Sequence, residues 1–438
     1  MLTIDDTHYT HQEFIELKQI FSSLELHKNS LRPLAVCLED TATWLALCFF
    51  MRQHRCSVMP IHPSTPLATA KKLAENAGCY RLYFKNIANA IDISPPAHKQ
   101  TNAEPGLIQM SSGTTGEPKF IQRSWLDIEI EIQSYIQTLT KAEDMTPVVA
   151  CPVSHSYGLI CGVMVALARG KQPLIITSIN PKYLVKKLLK TEKPLLYSSP
   201  TMLKGLIRFW PNQHKLHAVM TSGTTMSQAT LEELSTTITH LFQQYGCSEA
   251  GCVSINQAMT TTQGMGTPLP HLAISCNGDA SSPAEIIVRL KHRDAPPIHT
   301  QDLGYLTSST SHEQRLHFVA RQDDTIIVAG LNVYPQQVED IILSHPQVED
   351  ALIFKIDDPH AGQRVALHFV AKQNLDTAEL RQWCSQHLAD FQRPYHLSQI
   401  EKIDRMANGK VSRKKTARTF LQNHQRAQTP AAHAKSNQ

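Results

Sequence analysis

The chain has 438 residues, 42% hydrophobic and 18% charged, a composition that excludes a disordered polymer and a length that favours two domains over one core. Its formal charge of +4 is uneven: residues 401–438 hold nine Lys/Arg against two Asp/Glu, net +7, so residues 1–400 carry −3. Basicity confined to one end, with only Phe420 interleaved, argues against a nucleic-acid binder.

In chain order, residues 1–100 alternate helix-patterned stretches, 40–53 and 66–77, with short apolar runs such as 82–84. That βα alternation predicts a largely parallel, helix-covered sheet. The opening MLTIDDTHYTHQEF has neither a basic n-region nor an apolar h-region, and the ten cysteines show no C-x-x-C spacing. The expectation is a cytoplasmic protein with reduced thiols and no zinc site. The longest apolar passage, ACPVSHSYGLICGVMVALA (150–168), contains Pro152, His155 and several hydroxyls, so it reads as buried core rather than a membrane span. The α/β pattern continues through LIIT (174–177), the KYLVKKLLK helix (182–190) and a run at 218–220. At RQDDTIIVAGLNV (321–333) the style changes to a short strand, a glycine turn and a helix-patterned run over 336–343. The expected architecture is therefore α/β with helix-covered sheets, a large N-terminal domain over 1–322 and a small α+β C-terminal domain over 323–422. Residues 423–438, polar and aperiodic, read as a flexible tail.

Two stretches share an SGTT core: SSGTTGEPK (111–119) and TSGTTM (221–226). A phosphate loop needs glycines for close backbone approach, hydroxyls and a cation, and only the first stretch supplies all three. It is not a Walker A loop, because its lysine does not directly follow the second glycine. Alone, it could equally be a Ser/Thr-rich turn.

Taken with YGCSEAG (245–251), TQDLGYL (300–306), RQDDTIIVAGLNVYPQQVE (321–339) and NGKVSR (408–413), SSGTTGEPK resembles the ordered core motifs of adenylate-forming (AMP-binding) enzymes. These are the acyl- and aryl-CoA synthetases, peptide-synthetase adenylation domains and beetle luciferase. The resemblance spans 107–413, roughly seven tenths of the chain. It implies that Ser112, Gly113, Thr114, Thr115, Gly116 and Lys119 grip the β- and γ-phosphates of ATP. It implies Tyr245 and Gly246 against adenine, Ser248 at phosphate, and Glu249 holding Mg²⁺, a hard cation suited to carboxylate and phosphate oxygen. Asp302 and Arg321 match the ribose contacts, although the usual T-G-D reads Thr300-Gln301-Asp302 here, without the glycine. Lys410 matches the catalytic lysine that bridges the carboxylate and the α-phosphate, two anions whose approach a cation stabilises. Asp404 stands where the family commonly has proline. TSGTTM falls where the family has a small-residue strand end, which assigns Ser222, Gly223 and Thr224 to the pocket wall.

His155 falls where CoA-forming members often place a residue beside the acyl carboxylate, though a histidine in an apolar run also serves as core. No aspartate occupies the position that pairs with an amino-acid ammonium in peptide synthetases, so a fatty or aromatic acid is expected. Asp323 matches the hinge about which family members rotate the small domain, and Gly330 the close passage of a pantetheine arm. The resemblance thus implies an ATP- and Mg²⁺-dependent acid:thiol ligase, with CoA slightly ahead of the phosphopantetheine of a carrier protein as acceptor; the basic stretch 402–418 suits either. The alternative from another class is a silent nucleotide or acyl-AMP binding protein, disfavoured because a binder needs no bridging lysine.

Overall fold

The computed structural model describes residues 1–26, 32–94, 104–111, 119–178, 180–308, 313–358, 361–406 and 411–428. Local chemistry sets many of the helix starts. Thr10 and Glu13 form a capping box ahead of helix His11–Ser23, and the Asp40 carboxylate accepts the Thr43 amide at 2.7 Å at the start of helix Thr41–Gln53. Ser124 accepts the Asp127 amide at 3.1 Å at the start of helix Trp125–Thr138. Each cap satisfies an amide that the first helical turn cannot pair internally.

Three sheets carry the chain. The first runs in the order Ala90–Asp92, Arg81–Lys85, Leu34–Leu38, Val58–Pro60, Gly106–Ser111, Lys119–Ser124, and its middle four strands are parallel as expected. Leu34–Leu38, LAVCL, is buried throughout, as a strand covered on both faces must be. The second sheet has parallel strands Leu174–Ile175, Thr146–Val149, Pro194–Ser198, Leu216–Thr221 and Ile238–Cys247, then turns antiparallel from Gly251–Asn256 onward. Ligands of open α/β sheets sit beyond the carboxyl ends of the strands. Here those ends bring Ser198, Thr221 and Tyr245 to one edge.

The third sheet comprises Ile326–Val328, Leu331–Val333, Val348–Asp358, Gly362–Ala371 and His396–Gln399, and has its own core around Ile326, Val338, Ile353, Leu367 and Phe369. It is the smaller C-terminal unit beside the large sheet-bearing one. Two hydrogen bonds that cross between the units are Thr225 Oγ1 to Gln336 Oε1 at 2.8 Å and Lys204 Nζ to the Glu349 carbonyl at 3.2 Å.

Within the passage 150–168 the chain is buried continuously from Gly158 to Ala166, and Tyr157–Met164 winds as a π-helix. Among the described residues no helix is long and apolar enough to cross a membrane. No disulfide joins any of the ten cysteines. One boundary differs from expectation: the last helix runs Arg413–Gln428, past the point where the flexible tail was expected to begin. Its Phe420 is buried against Phe354 and His396, and the helix-forming residues that follow extend the anchored helix.

Candidate active site

Tyr245, Asp302 and Arg321 come together from three strands. Asp302 and Arg321 are direct partners in the antiparallel ladder of Ile298–Ser308 with Gln314–Arg321. Arg321 Nε lies 3.1 Å from Asp302 Oδ1, and the Tyr245 hydroxyl donates to Asp302 Oδ2 at 2.7 Å. The Asp302 side chain is almost wholly buried, whereas the Arg321 side chain is 42% exposed, so the acid is the enclosed member of the pair. Burial disfavours the charge on Arg321, but the Asp302 and Asp323 carboxylates outweigh it and hold its pKa above the usual arginine value. Burial, and then the Asp302 charge, push the Tyr245 phenol well above its ordinary range, so it remains a hydrogen-bond donor.

The position of the missing glycine keeps a glycine-like backbone. Gln301 has φ +57°, in the left-handed region, held by its amide donating to Glu285 Oε1 at 3.0 Å and its carbonyl accepting from the Gln322 amide at 2.8 Å. The Thr300 hydroxyl donates to the Ile286 carbonyl and accepts from the Asp302 amide, which orients the carboxylate.

The YGCSEAG stretch is a hairpin between Ile238–Cys247 and Gly251–Asn256, with a bulge at Tyr245/Gly246. A Cβ on Gly246 would lie 2.1 Å from the Gly251 carbonyl oxygen, so only glycine fits that approach. Ser248 is half-buried and Glu249 exposed at the tip, where a carboxylate can meet a cation. Cys247 is no nucleophile: burial first, and then the Glu249 charge, push its thiol up to about 12.

TSGTTM leaves the end of Leu216–Thr221 beside this hairpin, and the Ser222 hydroxyl donates to the Gln244 carbonyl at 3.3 Å. Gly223 has φ +95° with, among the described residues, no contacting heavy atom within 4 Å of where its Cβ would sit, and Thr224 is half-buried. Open space above a glycine, next to a buried tyrosine and an acid–arginine pair, fits a flat base and a ribose diol.

The remaining expected residues are scattered in what the structure says of them. Lys119 is exposed at the start of strand Lys119–Ser124. His155 is exposed in the turn ahead of helix Tyr157–Met164. Asp323 lies beside Arg321, 3.5 Å from its Nε. Gly330 is exposed, with φ +85°, in the turn between Ile326–Val328 and Leu331–Val333. Ser112, Gly113, Thr114, Thr115, Gly116 and Lys410 lie outside the described residues.

Sequence reasoning missed two supports. The Tyr157 hydroxyl donates to the Met220 carbonyl at 2.5 Å and accepts the Ser198 amide at 3.1 Å, fastening the π-helix to two strand ends. Its signal was an aromatic two residues after His155. Arg123, on the strand leaving SSGTTGEPK, makes a buried ion pair with Glu131 at 2.5 Å, and Glu131 accepts the Cys252 amide at 2.7 Å. This strut joins the hairpin that carries SSGTTGEPK to the Glu249 turn, and nothing local in the sequence marks it. A cavity of about 920 Å³ lies elsewhere, lined by Glu104, Ser124 and Trp125 at the opposite end of that hairpin. The six-residue strand separates it from the SSGTTGEPK end by about 17 Å.

Comparison with known proteins places the chain in a family. Residues 34–283 match the family model described as AMP-binding enzyme, and residues 337–410 match AMP-binding enzyme C-terminal domain. The chain is 37% identical over 415 residues to a 3,4-dihydroxybenzoate–[aryl-carrier protein] ligase of Bacillus anthracis, covering 94% of this chain and 98% of that one. It is 25% identical to a 2-succinylbenzoate–CoA ligase of Bacillus subtilis, over 75% of this chain and 71% of that one. Its fold is similar to that of ATP-bound MatB from Rhodopseudomonas palustris, with TM-score 0.81 at 16% identity and coverage of 97% and 96%. It is similar too to o-succinylbenzoate CoA synthetase of Bacillus subtilis in complex with its acyl-adenylate, with TM-score 0.78 at 19% identity and coverage of 95% and 94%. The chain belongs to the AMP-binding enzyme family, the adenylate-forming enzymes its motifs resemble.

Proposed function

We propose that this protein is an ATP- and Mg²⁺-dependent ligase that activates an aromatic carboxylic acid as its acyl-adenylate and passes the acyl group to a phosphopantetheine thiol. Residues 1–322 bind nucleotide and acid, and residues 323–422 form the small catalytic domain. The observation that carries the adenylation half is the Tyr245–Asp302–Arg321 cluster beside the open Gly223. The buried carboxylate accepts from the ribose hydroxyls, the base lies along Tyr245 and Gly223, and the exposed Arg321 side faces the sugar.

In the first step a carboxylate oxygen bonds to the α-phosphorus of ATP and the bond to pyrophosphate breaks, the leaving group taking the electron pair. Lys410 holds the two anions together, and SSGTTGEPK holds the departing phosphates. Among the described residues no group of three or more His, Cys, Asp or Glu is placed to hold a metal. Mg²⁺, which neutralises phosphate charge, would therefore take Glu249 with most other ligands from phosphate and water. In the second step the thiol sulfur bonds to the acyl carbon, the carbon–oxygen bond to AMP breaks, and the thiol proton goes to solvent.

The 37% identity along nearly the whole chain to an aryl-carrier protein ligase favours a carrier protein as acceptor and a hydroxylated benzoate as acid. CoA is the second reading, supported by the likeness to 2-succinylbenzoate–CoA ligase. The experiment is acid-dependent ATP/pyrophosphate exchange over a panel of benzoates and fatty acids, followed by transfer to holo-carrier protein or to CoA. Exchange with fatty acids alone overturns the aromatic reading. Thioester formed with CoA and not with carrier protein overturns the acceptor, and nucleotide binding without any exchange returns the protein to a silent binder.

A further inference from the structure

The chain between the two units changes hands within a residue. Arg321 closes the ladder with Asp302, and the Gln322 amide is held by the Gln301 carbonyl at 2.8 Å, both on the large unit. One residue on, the Asp323 carbonyl accepts from Lys355 Nζ at 2.6 Å, and the Asp324 carboxylate faces Arg413 Nε at 3.4 Å. Lys355 and Arg413 belong to the small unit: Lys355 to strand Val348–Asp358, Arg413 to the start of helix Arg413–Gln428. Bonds that bridge the junction include a tight turn in which the Arg321 carbonyl accepts from the Asp324 and Thr325 amides and the Thr325 hydroxyl, and the 3.5 Å contact of Arg321 Nε with the Asp323 carboxylate.

Arg413 does more than meet Asp324. Its Nη1 and Nη2 reach Glu339 of helix Pro335–Leu343 at 2.5 and 3.1 Å, and Nη1 also donates to the Ile353 carbonyl at 2.9 Å. Ile353 stands two residues before Lys355, on the same face of the same strand. The side chain is largely buried, so its fork of donors is fixed by four contacts to three partners at once. Three residues earlier in sequence stands Lys410.

We propose that Lys355 and Arg413 are positioning residues that fasten the chain just past Asp323 to the strand and helices of the small unit, so that a torsion change at Asp323 swings that unit as one rigid body. Without the two grips, rotation would dissipate into Asp323, Asp324 and Thr325, and the small unit would arrive at the large one in a spread of orientations. Misplacement by about 1 Å is enough to cost on the order of 10²-fold in rate. Nucleotide binding should be spared, because Tyr245, Asp302 and Arg321 lie on the other side of the junction.

The kinetic part of the test rests on the ligase reading. Arg413→Lys keeps the charge but loses the fork; Lys355→Met keeps the stem and loses the bonds to the Asp323 and Thr325 carbonyls, and carries the test if the first variant does not fold. In each, kcat should fall about 10-fold or more in pyrophosphate exchange and in transfer from supplied acyl-adenylate, with the KM for ATP kept within about 2-fold. Lys410→Ala, by contrast, should lose only the first half-reaction. Peptide-level hydrogen–deuterium exchange gives a readout independent of chemistry: uptake over 323–325 should rise in both variants while uptake over 298–308 and 314–321 stays unchanged. Unchanged uptake at 323–325 overturns the grip. Raised uptake with wild-type kcat in both half-reactions, or a raised KM for ATP in place of a lowered kcat, overturns its role in positioning. If the wild-type protein supports no exchange with any acid, the ligase reading fails while deuterium uptake still decides whether the grip exists.

Discussion

Asp302→Asn is the most direct probe of the site, because it changes charge with almost no change of shape. The carboxylate takes the Tyr245 hydroxyl at 2.7 Å and Arg321 Nε at 3.1 Å, with its backbone amide tied to Thr300. An asparagine in the same place offers one neutral acceptor oxygen, and its amide must face either the tyrosine hydroxyl or the arginine. A hydrogen bond to a charged group is worth about 1.5–3 kcal/mol and a neutral one about 1 kcal/mol. Replacing a carboxylate that accepts from two ribose hydroxyls therefore costs about 2 kcal/mol of nucleotide binding. At 1.4 kcal/mol per tenfold, that raises the KM for ATP about 30-fold. The assay is acid-dependent pyrophosphate exchange with ATP and acid varied separately; the KM for acid should move by less than about 3-fold, since the change lies on the nucleotide side. Tyr245→Phe, which removes one donor and leaves the charge, should raise the KM for ATP by a smaller factor. An unchanged KM for ATP in Asp302→Asn, with a raised KM for acid, would place this carboxylate in the acid pocket and refute the reasoning.

Gln301→Gly tests the substituted motif: relief of a left-handed non-glycine residue, about 1 kcal/mol, offsets the added unfolded-chain entropy, so stability should stay level or rise by up to about 1 kcal/mol. Gln301→Val should destabilise, and a clear loss of denaturation midpoint in Gln301→Gly would show that the side chain, not the backbone, matters there. Glu131→Gln leaves Arg123 buried without its counter-ion and should cost about 3–5 kcal/mol, whereas replacing both by apolar residues, Arg123→Met with Glu131→Leu, should recover much of it by equilibrium denaturation. Burial raises Asp340 to about 6 against an ordinary 3.8, so the folded state holds its proton where the unfolded state has lost it. Its contribution is fully present below about pH 4 and is lost as pH rises through about 6, so wild type should lose stability relative to Asp340→Asn across that window, by about 3 kcal/mol at most, and no further above it. A wild-type minus variant difference that is flat between pH 4 and 6.5 would rule that out.

What the sequence by itself determined was the chemistry carried by short, contiguous motifs. SSGTTGEPK, YGCSEAG and NGKVSR each hold their glycines, hydroxyls and charges within a few residues, so their spacing is legible without the fold. The βα alternation was equally visible in runs such as residues 82–84, because a strand buried on both faces must be apolar there. The conformation at Gln301 could not be read: without the glycine the motif was incomplete, and only its bonds to Glu285 and Gln322 show that the backbone kept the left-handed turn. The same holds for partners far apart in the chain. Glu131 meets Arg123 and Cys252, Tyr157 meets Ser198 and Met220, and Arg413 meets Glu339 and Asp324, pairings set by which strand ends and helices the topology brings together. A lone arginine or tyrosine carries no local mark of such a partner, since the energy of a buried ion pair or hydrogen bond depends on a geometry that exists only once the sheets have packed.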